Sequence, residues 1–229
     1  MGCKRTNERN AKMKSPGKAD KRSDAFSGSL SAFFRPAARA VRRLWVAVLC
    51  RMEKAVDIGS NGEWPGAMLS NFAPHAFTFR GIRFACMERL LQGLKFAGEE
   101  KQAKIFGMEG KQAKRKGKKR KWWLDQTLYW QGHPMGRTSA EYASLVREAF
   151  DALSENSGFR EALLATGGKR LYHTMGKTDP AKTVLTEGEF CALLGALRAR
   201  IRQNAQFPHG NCQTESEAIG TENQQKPAT

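Results

Sequence analysis

Ser70-Asn71-Phe72-Ala73-Pro74, then His75-Ala76-Phe77-Thr78-Phe79-Arg80-Gly81-Ile82-Arg83-Phe84, then Cys86-Met87-Glu88-Arg89-Leu90-Leu91-Gln92-Gly93-Leu94-Lys95-Phe96 is the stretch on which the reading of this chain turns. The middle run alternates apolar and polar residues around a glycine, which predicts a short hairpin or a bent strand. In the last run the period changes. At 3.6 residues per turn, Glu88, Gln92 and Lys95 fall on one narrow stripe while Met87, Leu90, Leu91 and Leu94 cluster on another. A helix of this kind buries its apolar side and holds a carboxylate, an amide and an ammonium within reach of one bound molecule. Spacing alone favours a surface helix whose Glu and Lys are solvated.

The Ser-Asn-Phe-Ala-Pro segment, a strand, and a helix carrying Glu, Gln and a closing Lys-Phe together resemble the NADAR family of N-glycosidases, associated with NAD and ADP-ribose. The resemblance continues through Ala113-Lys114-Arg115-Lys116-Gly117-Lys118 and Phe159-Arg160-Glu161-Ala162-Leu163-Leu164-Ala165-Thr166-Gly167, and spans Ile58 to Ile201 in order. The chain departs from the pattern at Cys86 and Arg89, where family members usually carry Ser and His. It implies an α+β, mainly helical fold: a single NADAR-like domain with a few short strands, over residues 55–203.

Outside that domain, composition sets the expectations. Two hundred and twenty-nine residues with 40% hydrophobic content can bury a core of ordinary size. Residues 1–36 are rich in Lys, Arg, Ser, Asn and Gly and read as a disordered basic arm, and residues 204–229, rich in Asn, Gln, Thr and Glu, as a disordered tail. The opening Met1-Gly2-Cys3-Lys4-Arg5-Thr6 fits the pattern for lipidation at Gly2 and Cys3. Residues 37–54 place Val41, Leu44, Trp45, Val48 and Leu49 at helical spacing against Arg39, Arg42, Arg43 and Arg51. This is an amphipathic helix or a leader, able to lie on a membrane, pack on the domain or touch nucleic acid, and too short in its apolar run to span a bilayer. Translation from Met52 would leave it out altogether.

A net charge of +17 and a pI near 10.0 favour an anionic partner. The surplus concentrates in Lys111, Lys114, Arg115, Lys116, Lys118, Lys119, Arg120 and Lys121, which run into Trp122 and Trp123. Phosphates with exposed bases would suit that segment, and so would a solvated loop with its tryptophans in the core. The five cysteines, at 3, 50, 86, 191 and 212, show no paired short spacing and read as reduced thiols of a cytoplasmic protein. No metal-ligand spacing, Walker loop, dinucleotide fingerprint or serine elbow is present, so neither a metal nor a cofactor is expected.

Candidate site residues follow from the resemblance together with the chemistry. Cleaving an N-glycosidic bond requires stabilising positive charge on the ribose as the base departs, with an oriented water, and one carboxylate can serve both needs. Glu88 is the expected catalytic carboxylate. Asn71 would orient substrate, Phe72 would stack on it or join the core, and Lys95 and Lys118 would neutralise phosphate. The resemblance places Gly117 beside the phosphate or ribose and a tryptophan beside the scissile sugar, a role for which Trp122, Trp123 and Trp130 compete and spacing favours Trp130. It also makes Asp179 a second catalytic candidate and sets His173 where the family commonly has Glu. The expected activity is hydrolysis of phosphoribosylamino-pyrimidine intermediates of riboflavin synthesis, or release of ADP-ribose from guanine in nucleic acid. The alternative is a non-catalytic protein that binds nucleic acid or ADP-ribose; a membrane partner is not expected.

Overall fold

The computed structural model describes residues 24–206, with side chains from residue 36 onward. The lipidation pattern and the outer parts of the expected arm and tail lie outside those residues. The chain divides into a unit ending at Arg43 and a larger one beginning at Leu44. Helix α1 (Asp24–Arg51) starts well before the expected residue 37 and carries Pro36 within it. It stops where Glu53 takes φ 57°, which lets Lys54 N–H reach back to the Leu49 carbonyl at 2.9 Å. On this helix Val46 is buried, whereas Val41, Leu44, Trp45 and Val48 stand exposed. Among the described residues no helix is long and apolar enough to cross a membrane.

The larger unit is α+β and mainly helical. Strand β1 (Ala55–Asp57) pairs in parallel with β6 (Arg170–Tyr172), register Val56 to Leu171, so the first and last parts of the domain are tied by one short ladder. The hairpin expected in His75–Phe84 is present: β2 (Phe77–Phe79) and β3 (Ile82–Phe84) flank Arg80 and Gly81, at φ 47° and 79°. A second hairpin, β4 (Thr127–Trp130) with β5 (His133–Gly136), turns at Gln131 and Gly132 with φ 46° and 81°. Positive φ at both central residues matches the twist of the flanking strands, and glycine at the second accepts it without strain.

Helix α2 (Met87–Gly93) is the centre of the core. Its Met87, Leu90 and Leu91, with Leu94 just beyond, pack among Phe84, Phe106 and Leu128, all of them buried. Two helices follow. α3 (Glu99–Phe106) lies between Gly98 and Gly107. α4 (Gly110–Lys118) turns most of the basic segment into a helix rather than a loop. Ala113 and Gly117, one turn apart, are buried on its inner side and let it lie close to α2. A side chain at Gly93 would sit 2.1 Å from the Phe106 ring, so the α2–α3 contact also requires glycine.

The remaining helices are scaffold. α5 (Ala140–Leu153) is capped by Ser139, whose hydroxyl accepts from Tyr142 N–H at 3.1 Å, and α6 (Ser157–Ala165) by Asn156 at 3.1 Å to Phe159 N–H. α7 (Glu187–Gln206) closes the domain, running slightly past the expected boundary at 203.

Two glycine substitutions separate packing from propensity. Gly93→Ala should lower stability by about 1–3 kcal/mol through overpacking against Phe106. Gly195→Ala, in the middle of α7 with open space around it, should raise it by roughly 0.5–1 kcal/mol. Urea unfolding of the two variants checks both signs.

Candidate active site around Glu88

Because α2 is buried on both faces, its polar stripe cannot be a solvated one. Glu88 is 3% exposed, Gln92 1% and Lys95 8%. A carboxylate held there must be paired. Glu88 Oε1 accepts a hydrogen bond from Gln92 Nε2 at 2.8 Å, and Gln92 Oε1 accepts from Lys95 Nζ at 2.6 Å. The same Glu88 oxygen lies 2.9 Å from Lys114 Nζ. One oxygen thus takes both bonds, and Oε2 takes neither. Among the described residues no group of His, Cys, Asp and Glu is arranged to hold a metal ion.

α4 lies beside α2 in register. Gly110 sits near Cys86, Phe72 and Glu88, Gly117 near Gln92, and Trp122, in the short turn after α4, near Lys95. Lys95 Nζ is 6.0 Å from the Trp122 ring centre, and Lys114 Nζ is 5.7 Å from that of Phe72. Burial lowers the Lys95 pKa to about 8; the charges of Lys114 and Lys177 push the same way and Glu88 opposes them. The ammoniums therefore repel one another around a single carboxylate, a field that favours a bound anion.

The end of α2 is held by a buried amide. Gln102 on α3 donates to the carbonyls of Gly93 at 3.2 Å and Tyr129 at 2.8 Å, and accepts from Gln131 N–H at 2.8 Å. Tyr129 N–H reaches the Leu94 carbonyl at 2.7 Å. These bonds fix the backbone from which Lys95 projects. At the other end, the Asn71 carbonyl accepts from Glu88 N–H at 2.8 Å, supplying a partner to one of the free amides of the first turn.

The structure brings Glu88, Lys95, Asn71 and Phe72 together, and it gives the other expected residues different surroundings from those expected. Lys118 is exposed one turn beyond Lys114, level with the end of α2, so Lys114 is the cation that reaches Glu88. Gly117 is a packing position: a Cβ there would lie 2.1 Å from Gln92 Oε1. Trp130 is in the core, 5.2 Å from Phe79 and 5.9 Å from Phe106 between ring centres, and the tryptophan beside Lys95 is Trp122. Asp179 is exposed and caps a short turn, accepting from Ala181 N–H at 3.0 Å with Lys182 at 3.4 Å. His173 binds the Ile58 carbonyl through Nδ1 at 2.7 Å and meets Phe190 edge-on, a structural role.

Two departures from the family pattern sit at the same helix start. Cys86 is buried, which pushes its thiol pKa up, and it gives no side-chain cap to α2. Arg89 Nε and Asn71 Oδ1 are both buried without a hydrogen-bond partner among the described residues. Sequence reasoning missed Lys114 and Lys177. For Lys114 a signal existed: Ala113 and Gly117 mark the inner side of α4, and Lys114 adjoins it.

Comparison with known proteins gives the family and the fold. Residues 63–199 match the family described as Bacteriophage protein GP30.3, which is NADAR-type. An uncharacterized 17.1 kDa protein in the Gp30-rIII intergenic region of Enterobacteria phage T4 is 40% identical over 146 residues, covering 62% of this chain and 96% of its own length. The NMR structure of the E. coli protein YbiA, of the NADAR family, matches with a TM-score of 0.50 at 19% identity, over 70% of this chain and 92% of that one. The likeness to YbiA is one of fold.

The lowered Lys95 pKa predicts a pH dependence of stability. Below pH 8 both folded and unfolded chains carry the proton, and the folded state bears the cost of a charged, crowded ammonium. Between about 8 and the ordinary 10.5 the unfolded chain binds more protons, so stability rises with pH in that window. Relative to Lys95→Met, the wild type should gain on the order of 2–3 kcal/mol from pH 7.5 to 10.5, measured by urea unfolding. A flat difference would mean that Lys95 is solvated.

Proposed function

The chain belongs to the bacteriophage GP30.3 family, a NADAR-type family, and on that footing we propose that it is an N-glycosidase acting on a ribosylated or ADP-ribosylated base. The observation that carries this reading is the buried Glu88 carboxylate, braced through one oxygen by Gln92 and Lys114. As the base leaves, positive charge develops on the ribose ring. A fixed carboxylate stabilises that charge without having to reorganise, and its second oxygen can orient the attacking water. Lys95 and Lys114 supply the charge that a phosphate on the sugar would meet. Phe72 and Trp122, each beside one of these ammoniums, supply apolar faces against which a sugar or base can lie.

The outer side of α4 supports a substrate borne on a nucleic acid over a free metabolite. Lys111, Arg115, Lys116, Lys118 and Lys119 are all exposed there, with Trp123 and Leu124 exposed just beyond. Phosphate chains bind such a surface through counterion release, and a base can stack on Trp123. A binding protein without turnover is the second reading, favoured by the loss of the family's His at Arg89.

The test is Glu88→Gln, with released base or sugar followed by mass spectrometry on ADP-ribosylated DNA and on riboflavin-pathway intermediates. The expected result is a fall in turnover on the order of 10²- to 10⁴-fold with substrate affinity largely kept. Wild-type protein that binds these substrates and releases nothing would establish the binding reading instead.

A further inference from the structure

A cavity of about 540 Å³ lies away from Glu88, between α5 and α7. On their core side the two helices meet, with the Phe150 and Phe190 ring centres 5.8 Å apart, and the cavity opens beside that contact. α5 presents Tyr142, Ala143 and Val146, and α7 presents Leu193, Ala196 and Leu197. These recur at helical spacing on each helix, so each helix turns an apolar strip to the cavity beside its buried face. Ala143 and Ala196, the smallest of the six, keep the gap open. Tyr142 is buried and its hydroxyl donates to the Val184 carbonyl, so its ring forms a fixed wall.

An ion pair closes each end of the trough. Near the helix starts, Arg137 grips Glu189 with both terminal nitrogens, at 3.1 and 2.6 Å. Near their ends, Arg200 pairs with Asp151. From Tyr142 to Asp151 along α5, and from Glu189 to Arg200 along α7, the rise is about 15 Å. Both lining carboxylates are thus committed to arginines. Arg147, the third lining arginine, is exposed at the lip and has no ion pair among the described residues. The charge balance of the walls is three arginines to two acids.

We propose that this trough is a second ligand site that takes a linear apolar monoanion, an alkyl carboxylate, with the chain along the six apolar residues and the carboxylate on Arg147. The volume lies within the range of sites for small organic ligands, and burial of the chain supplies the affinity. Arg147 supplies the preference for an anion, since a guanidinium pairs a carboxylate through two parallel bonds. None of the lining residues belongs to the Glu88 network. The site therefore stands whether or not the glycosidase reading does.

Decanoate, below its aggregation range, is the probe, with 1-decanol as its uncharged counterpart, titrated into the full chain by calorimetry and by amide chemical shifts. Expected is 1:1 saturation by decanoate, with shifts centred on Ala143, Leu193 and Ala196. Ala196→Trp, at an exposed position that fills the trough, should abolish saturation. Arg147→Met should weaken decanoate about tenfold and leave decanol unchanged, and Glu88→Gln should have no effect. Unsaturable binding, or shifts scattered over the surface of the wild type, would overturn the site. Equal affinity for decanoate and decanol, unaltered by Arg147→Met, would overturn the anion assignment. The wild-type shift map decides the matter even if Ala196→Trp does not fold.

Discussion

A carboxylate buried on a helix that is itself buried on both faces is the constraint from which the rest of this domain follows. Unpaired, the charge of Glu88 would cost several kcal/mol. The chain meets that demand from two directions, with Gln92 one turn along α2 and Lys114 from α4, while the Asn71 carbonyl takes the Glu88 backbone N–H and fixes the helix start from which the side chain projects. Each neighbour imposes its own requirement. Gln92 needs Gly117 opposite it, Lys114 needs α4 to lie in register with α2, and Asn71 needs the loop before the hairpin to fold against the first turn. The Gln102 clamp does the same for Lys95 at the far end.

The arrangement makes more sense as preparation for a ligand than as stabilisation. An apolar side chain in place of Glu88 would need no partners, and replacing a buried ion pair by hydrophobic residues is often neutral or better. Here the pair is kept with an excess of positive charge around it, at the cost of a lowered Lys95 pKa. A phosphorylated sugar would relieve that repulsion by adding the missing anions. The proposed chemistry and the electrostatic strain thus draw on the same few side chains.

The sequence shows the local parts of this site and hides the long-range ones. Glu88, Gln92 and Lys95 could be placed on one stripe because helix periodicity is local, and Arg80-Gly81 could be read as a turn because its neighbours alternate. What periodicity cannot tell is which face a neighbouring helix covers. The basic run at 111–121 reads as a charged segment, and only the close packing at Ala113 and Gly117 turns Lys114 toward Glu88 and Lys118 toward solvent. The same holds for the tryptophans. Spacing favours Trp130, but the hairpin that carries it points that ring into Phe79 and Phe106, while Trp122 is delivered to Lys95 by the end of α4. Asp179 shows the same limit: spacing does not reveal that its carboxylate caps its own turn. The trough between α5 and α7 left no trace in the sequence, because each helix alone shows an ordinary apolar stripe.

The most direct measurement is a crystal structure of the Glu88→Gln protein with ADP-ribose bound. The account predicts the terminal ribose against residue 88, its anomeric carbon facing the side-chain atom that takes no bond from Gln92 or Lys114, and the diphosphate between Lys95 and Lys114. ADP-ribose seated away from α2, with the Gln92–Lys95 bond and the Lys114 side chain undisturbed, would contradict it.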